Sequence, residues 1–249
     1  MLVLALDTTT RQGSVALARD GGMVAVYAGD SAITHGERLP GDLMRLFEGR
    51  DLRVADVDLF AVASGPGSLT GLRIGIATMQ GFALANVKPL SGVSALDAIV
   101  DSLHLSPQSS ALSPDSEVAV WMDAGRGQVF SARYRNGDVV EPALVDTPAD
   151  VLARWARERA PAALFAGDGA LAYRDLIRAV APGAQIVEPM LPLAPSVARL
   201  AERDLHLYGP SVPDVIRPIY VRRSDVELAR DRAAVSAAAA AAFRRDGRP

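Results

Sequence analysis

Hydrophobic residues over the first 30 positions follow the pattern of β-strands. Residues 2–7 form a continuous apolar run up to Asp7, which is typical of a buried strand. Apolar runs over 14–19 and 23–27 are joined by Asp20-Gly21-Gly22, and Asp-Gly between such runs favours the tight turn of a β-hairpin. The pattern therefore predicts that three strands open the chain.

A helical period replaces the strand pattern between residues 36 and 48. Leu39, Leu43, Leu46 and Phe47 fall at i, i+4, i+7 and i+8, which places them on one stripe of an amphipathic helix. Pro40 must then lie in the first turn, where its missing N–H is tolerated. The elements predicted next are a strand over 58–64, a helix over 71–85, a strand over 90–93 and a helix that Ser94 caps and that runs to about residue 104.

The same order of elements recurs in the second half of the chain. A strand over 118–122 ends at Asp123, and a second strand over 129–134 leads into the turn Asn136-Gly137-Asp138. The offset of 116 residues that separates Asp7 from Asp123 also separates the two hairpin turns. The elements predicted next are a helix over 147–159, a strand over 162–166 and helices over 170–180 and 195–208.

Two halves of the order β-β-β-α-β-α-β-α predict an α/β fold with two ribonuclease-H-like halves of the actin, Hsp70 and sugar-kinase type, in which helices flank mixed sheets. A single dinucleotide-binding unit would alternate strands and helices from the start. We divide the chain into a first domain over 1–104, a linker over 105–116, a second domain over 117–223 and a helical or disordered tail over 224–249. The linker contains two Ser-Pro pairs and shows no periodicity.

Composition narrows the functional classes. Lys+Arg 26 against Asp+Glu 29 gives a net charge of -3, so the chain lacks the basic field that binds nucleic acid directly. The absence of cysteine excludes disulfides, thiolate zinc sites and cysteine nucleophiles. No apolar run reaches the roughly 18 residues of a membrane span, and the first residues lack the basic segment of a signal peptide. We expect a cytoplasmic protein that does not bind membranes.

A glycine-rich bend from Gly65 to Gly71 joins a strand to a helix, and such a bend can direct backbone N–H groups at an anion. It is not a Walker loop, because Leu72 follows Gly71 where that motif has lysine. It is not a nucleophile elbow either, because Ser68 lies between Pro66 and Thr70 instead of two glycines. We predict instead that the glycines tighten the bend and let the following helix pack closely.

Two carboxylates are the candidates for nucleotide chemistry. In this fold Asp7 and Asp123 would face each other across the cleft between the halves, where they could hold the Mg²⁺ of a bound nucleotide. They could equally cap turns by accepting backbone N–H bonds. Thr9 occupies the glycine position of the Asp-x-Gly-Thr phosphate signature, so that signature is incomplete. Both interpretations stay open, with Asp7, Thr8 and Asp123 as the candidate nucleotide-binding residues.

The histidines do not predict a metal site. His35, His104 and His206 are the only ones, and they form no His-x-x-x-His pair on a helix. We interpret His35 as a polar residue at a helix N-terminus. The other two fall near helix C-termini, where they can interact with the last carbonyls.

Several segments together resemble the TsaB (YeaZ) family over residues 1 to about 223. They are Asp7-Thr8-Thr9, the stretch from Gly65 to Gly75, Asp123-Ala124, Gly167-Asp168-Gly169 and Pro218-Ile219-Tyr220-Val221-Arg222. The resemblance implies a non-catalytic scaffold or activator subunit, required to form N6-threonylcarbamoyladenosine at position 37 of tRNAs that read codons beginning with A. The family often has arginine directly after the Asp-Ala pair, whereas Gly125 precedes Arg126 here, so no ligand role is carried over to Arg126.

The resemblance also implies partners. The chain would form a heterodimer with a TsaD-like metal-dependent transferase and recruit a TsaE-like ATPase. It would contact tRNA only through that complex. It would hold no cofactor on its own, whereas the assembled complex could bind ATP or ADP. Without the partner, the chain could form a homodimer. The predicted interface residues lie in the first half, where small residues let helices pack closely: Leu39, Leu43, Leu46, Phe47, Gly71, Gly75, Thr78 and Phe82.

Two other functional classes remain as alternatives. One is an independent ATP-binding kinase or hydrolase of the actin-like ATPase class, using Asp7 and Asp123. The incomplete phosphate signature argues against it. The other is a protease that uses Ser68, for which no motif places a histidine.

Overall fold

The computed structural model describes residues 1–105, 115–158, 162–210 and 212–221. Contacts group Met1–Ile219 into one compact unit, and a second unit begins at Tyr220. Most of the predicted linker and the whole of the predicted tail lie outside the described residues, so the domain boundaries there stay predictions.

The first half contains eight helices and strands in the predicted order. They are β1 (Leu2–Asp7), β2 (Ser14–Arg19), β3 (Gly22–Ala28), α1 (His35–Phe47), β4 (Leu59–Gly65), α2 (Leu69–Asn86), β5 (Leu90–Ser94) and α3 (Ala95–Ser102). Helix α2 begins inside the glycine-rich bend, because the Ser68 hydroxyl accepts the backbone N–H of Gly71 at 3.2 Å and so caps it. Ser94 caps α3 in the same way, as predicted, by accepting from the N–H of Asp97.

The second half repeats this order with shorter elements after its first helix. They are β6 (Glu117–Gly125), β7 (Gln128–Arg135), β8 (Asp138–Asp146), α4 (Pro148–Glu158), β9 (Leu164–Ala166), α5 (Asp168–Ala172), α6 (Arg174–Val180), β10 (Gln185–Ile186) and α7 (Ala194–Tyr208). The single helix predicted over 170–180 is wrong. Tyr173 has φ −111 and ψ 24, outside the helical region, and it separates α5 from α6.

The two sheets have equivalent strand orders, β3-β2-β1-β4-β5 and β8-β7-β6-β9-β10. In each, the first strand is central, antiparallel to the second and parallel to the fourth. Asp7 and Asp123 therefore lie at equivalent strand ends. This topology, with helices flanking two mixed sheets, confirms the predicted fold class.

Each sheet has its own hydrophobic core. Side chains of α1 and α2 pack on one face of the first sheet, around Leu4, Leu6 and Phe60. The second core surrounds Trp121, where the ring of Phe165 meets the Trp121 ring edge-on with 5.5 Å between centroids. Helix α7 packs against β1, β2, β4 and β5, on the other face of the first sheet, although the sequence pattern assigned it to the second half. No described helix has the length and apolar character needed to cross a membrane.

Candidate functional site

The loop after β1 uses the Asp7 carboxylate to organise its own turn. Asp7 is 1% exposed and accepts from the backbone N–H of Thr9 at 2.8 Å and from its hydroxyl at 2.5 Å. The Thr10 hydroxyl donates to the other carboxylate oxygen at 3.3 Å. Burial raises the pKa of Asp7 although these donors favour its charged form. The geometry supports the turn-capping interpretation of Asp7.

The glycines of α2 let the helix lie directly against this loop. The Thr8 hydroxyl donates to the Gly71 carbonyl at 2.7 Å, and the N–H of Ser68 donates to the Thr9 carbonyl at 2.9 Å. A Cβ at Gly71 would stand 2.0 Å from the Thr8 carbonyl oxygen, and one at Gly75 would stand 2.2 Å from the Thr8 hydroxyl. The close-packing role predicted for these glycines is confirmed, and Thr8 is engaged within the chain.

In the loops that follow β6 and β9, the more buried of the two aspartates is Asp168, not Asp123. Asp123 is exposed and accepts the backbone N–H of Gly125 at 2.8 Å. Asp168 accepts from the N–H groups of Asp123 and Gly169, at 3.0 and 2.9 Å. Burial is the main cause that raises the pKa of Asp168 to about 6. The charges of Asp123 and Asp7 act in the same direction, and the two N–H donors act against them.

The charges of Asp123 and Asp7 both raise the pKa of Asp168, and the contribution of Asp7 is the smaller of the two. The direct contact is the hydrogen bond from the N–H of Asp123 to Asp168, and the arrangement of Asp7 and Asp123 across a cleft stays a prediction. Within the described ranges, no group of three or more histidines or carboxylates could hold a metal ion. Asp168 was not predicted as a site residue, and its only signal in the sequence is the Gly167-Asp168-Gly169 that follows β9.

The prediction of the partner interface needs correction at several residues. Leu39, Leu43 and Leu46 are at most 7% exposed, because the stripe that they form is the face that α1 packs against its own sheet. Gly71 and Gly75 are likewise buried against the loop after β1. These residues belong to the chain's own core. Phe47, Thr78 and Phe82 are only half-buried, so a contact of these three with a partner stays a prediction.

The opposite side of the same helices exposes small and apolar residues, beside charged ones such as Arg45 and Arg73. We call it the outer face, and it comprises Met44 on α1 and Ala77, Gly81 and Leu84 on α2. Met44 is 75% and Leu84 60% exposed. A Cβ at Gly81 would meet no atom within 4 Å, so the chain's own packing does not require glycine there.

The chain is similar in sequence to proteins of a known family. Residues 5–181 match the family model described as TsaD, tRNA N6-adenosine threonylcarbamoyltransferase. One relative is the tRNA threonylcarbamoyladenosine biosynthesis protein TsaB of Bacillus subtilis, 29% identical over 72% of this chain and 76% of that protein. The protein of the same name in Escherichia coli is 31% identical over 55% of this chain and 57% of its own length.

The fold also resembles a solved structure described as YeaZ from Pseudomonas aeruginosa. The TM-score is 0.68 at 25% identity, covering 88% of this chain and 99% of that one. Among the first sequence relatives, the alignment spans from 40% to 76% of the relative's own length. The similarity in structure therefore extends further along the chain than the similarity in sequence.

Proposed function

Because this chain belongs to the family described as TsaD, tRNA N6-adenosine threonylcarbamoyltransferase, and within it to the TsaB (YeaZ) type, we propose that it acts in threonylcarbamoyladenosine biosynthesis in tRNA. We propose further that it is a non-catalytic subunit of the cytoplasm. Its role would be to form a heterodimer with a TsaD-like transferase and to recruit a TsaE-like ATPase.

The non-catalytic role is supported by the contacts of the cleft residues. Asp7 accepts three hydrogen bonds from its own turn and is almost completely buried. The Thr8 hydroxyl is committed to the Gly71 carbonyl. A nucleotide phosphate or its magnesium ion would have to displace these contacts to reach either side chain. We therefore propose that ATP or ADP binds near Asp7, Thr8 and Asp123 only in the assembled complex. We expect no ATP turnover by this chain alone.

The observation that carries the proposed heterodimer is the outer face of α1 and α2. Helix α2 has one charged side chain, Arg73, among its 18 residues, and a helix that is apolar on all sides is usually buried. Gly81 lies in the interior of this helix, where glycine destabilises by about 0.5–1 kcal/mol relative to alanine. The chain's own contacts do not require that glycine. A partner helix that approaches the backbone closely at Gly81 would explain it.

Reconstitution tests this function. The chain, the TsaD-like protein and the TsaE-like protein of its own source are purified and combined with tRNA, and formation of the modified adenosine is measured with each protein omitted in turn. We expect no product without this chain, and co-elution of this chain with the TsaD-like protein. Product formation at the full rate in its absence would contradict the proposal.

A second measurement separates the proposal from an independent ATPase. The purified chain alone is incubated with ATP, beside its Asp7→Ala variant. We expect the same negligible release of phosphate from both. Turnover at an enzyme-like rate that disappears in Asp7→Ala would assign catalysis to this chain instead.

A further inference from the structure

Arg38 is buried in a slot between the loop after β1 and the end of β3. Its side chain is 7% exposed and forms an ion pair with Asp42 one turn further along α1. A Cβ at Gly29 would stand 1.8 Å from Arg38 Nη1, and one at Gly13 would stand 2.8 Å from Nη2. Glycine at both positions therefore leaves the space that the guanidinium occupies.

The Arg38 guanidinium connects helix α1 to the loop that contains Asp7. One of its N–H groups donates to the Gln12 carbonyl, and the same nitrogen lies 2.8 Å from Nδ1 of His35. Nε2 of His35 lies 2.9 Å from the Thr10 carbonyl oxygen. Two side chains of the first turns of α1 thus hold two carbonyls of the loop between β1 and β2.

These contacts fix the protonation state of His35. A guanidinium only donates hydrogen bonds and a carbonyl only accepts them. Nδ1 must therefore be the unprotonated nitrogen that accepts from Arg38, and Nε2 must carry the hydrogen donated to Thr10. The imidazole is neutral in this arrangement, with one of its two tautomers selected.

The charges around His35 agree with the geometry. Burial and the charge of Arg38 lower the pKa of His35, although the Thr10 carbonyl and the carboxylates of Asp7 and Asp42 favour the protonated ring. A second ring proton would sit on Nδ1 and point at an N–H of Arg38. The hydrogen bond between the two side chains would then become a repulsion between two cations.

We propose that His35, Arg38 and Asp42 form a pH-sensitive device that holds α1 to the loop between β1 and β2 only while His35 is neutral. Protonation of His35 breaks its contact with Arg38 and releases the first turns of the helix from the loop. All of these contacts lie within this chain, so the proposal can be tested without a partner protein.

The direct test is a nitrogen-15 NMR titration of the full chain, combined with amide hydrogen exchange. At pH 7.5 we expect the His35 ring in the neutral form with hydrogen on Nε2. As His35 titrates on acidification, we expect a several-fold loss of exchange protection in residues 8–13 and in the first turns of α1. The opposite tautomer at pH 7.5, or protection that is unchanged through the titration of His35, would overturn the proposal.

Two variants identify the source of any loss of protection. In His35→Asn the amide oxygen can still accept from Arg38 but the side chain cannot gain a proton, so the loss on acidification should disappear. His206→Asn, at an exposed histidine near the end of α7, should behave like the original chain. An equal loss in His35→Asn would assign the effect to another group. If His35→Asn does not fold, the titration of the original chain decides alone.

Discussion

The two halves share one strand order but bury a different carboxylate. In the first half, the aspartate that ends the first strand is 1% exposed and accepts three hydrogen bonds. In the second half, Asp123 occupies the equivalent position, is exposed, and accepts one from Gly125. Asp168, two residues beyond the end of β9, is less exposed than Asp123 and accepts two backbone N–H bonds. Equivalent topology has therefore preserved backbone positions, while the burial of charge differs between the halves.

The helices that follow the fourth strand of each half differ as well. Helix α2 is continuous over Leu69–Asn86 and carries an exposed apolar outer face. Its counterpart is divided into α5 and α6, and α6 carries Arg174, Asp175 and Arg178. An apolar, unbroken helix is suited to contact another protein, whereas the charged α6 is suited to contact water. The comparison assigns the proposed partner surface to the first half.

The largest expected effect tests whether the first helix of each half serves its own core. Leu43→Glu in α1 and Leu152→Glu in α4 each place a carboxylate at a position that is 7% or 5% exposed. Because a buried unpaired charge is strongly destabilising, we expect each to lower the free energy of unfolding by about 4 kcal/mol or more. Urea denaturation measures both. Met44→Glu is the exposed control, and a Leu43→Glu chain as stable as that control would contradict the assignment of Leu43 to the chain's own core.

We expect Gly71 in the first half and Gly169 in the second to differ in how well the surrounding structure tolerates an added methyl group. A Cβ at Gly71 would stand 2.0 Å from the Thr8 carbonyl oxygen, whereas one at Gly169 would stand 2.8 Å from its nearest atom, in Met122. Since overpacking typically costs 1–3 kcal/mol, we expect a loss of about 3 kcal/mol for Gly71→Ala and about 1 kcal/mol for Gly169→Ala. Thermal unfolding compares the two. A larger loss for Gly169→Ala would reverse the comparison between the loops.

Asp168 is expected to make stability depend on pH. Its pKa is raised from 3.8 to about 6 in the folded chain, so its contribution to stability is full below pH 4 and is lost as the pH rises through 6. At pH 7, Asp168→Asn should therefore raise the free energy of unfolding, by up to about 3 kcal/mol because one pKa unit corresponds to about 1.4 kcal/mol. Denaturation at pH 4 and pH 7 measures this. A difference between the two chains that does not change with pH would show that Asp168 is not shifted.

Most of the fold could be predicted because each half is encoded by local pattern. The apolar runs of the strands, the Asp-Gly turn and the stripe from Leu39 to Phe47 are short-range signals. The offset from Asp7 to Asp123 equals the offset between the two hairpin turns, and this match indicated the duplication. The two-residue strand β10 was not located, since two residues show no period. The placement of α7 on the first sheet was not predicted either, because a helix pattern does not specify which sheet the helix covers.

The candidate site was less predictable for a similar reason. Asp7 and Asp123 follow apolar runs, and a strand end is readable from sequence. The burial of Asp168 depends on how the loops after β6 and β9 come together, which no local pattern records. The interface prediction was wrong at Leu39, Leu43 and Leu46 because an apolar stripe marks the side of a helix that is buried, and the sequence does not distinguish the chain's own core from a partner.

The central claim is that the outer face of the first half binds the TsaD-like protein. The most direct measurement is the affinity of that protein for Gly81→Arg, with Ala156→Arg on the exposed side of α4 as the matched control in the second half. A Cβ at Gly81 would meet no atom of the chain within 4 Å, and replacing glycine in a helix interior is favourable. We therefore expect Gly81→Arg to unfold at or slightly above the temperature of the original chain, and Ala156→Arg at that temperature. Gly81→Arg should weaken binding by about tenfold or more, the loss typical of a disrupted interface centre, while Ala156→Arg leaves it unchanged. Equal affinities for the two variants would contradict the account.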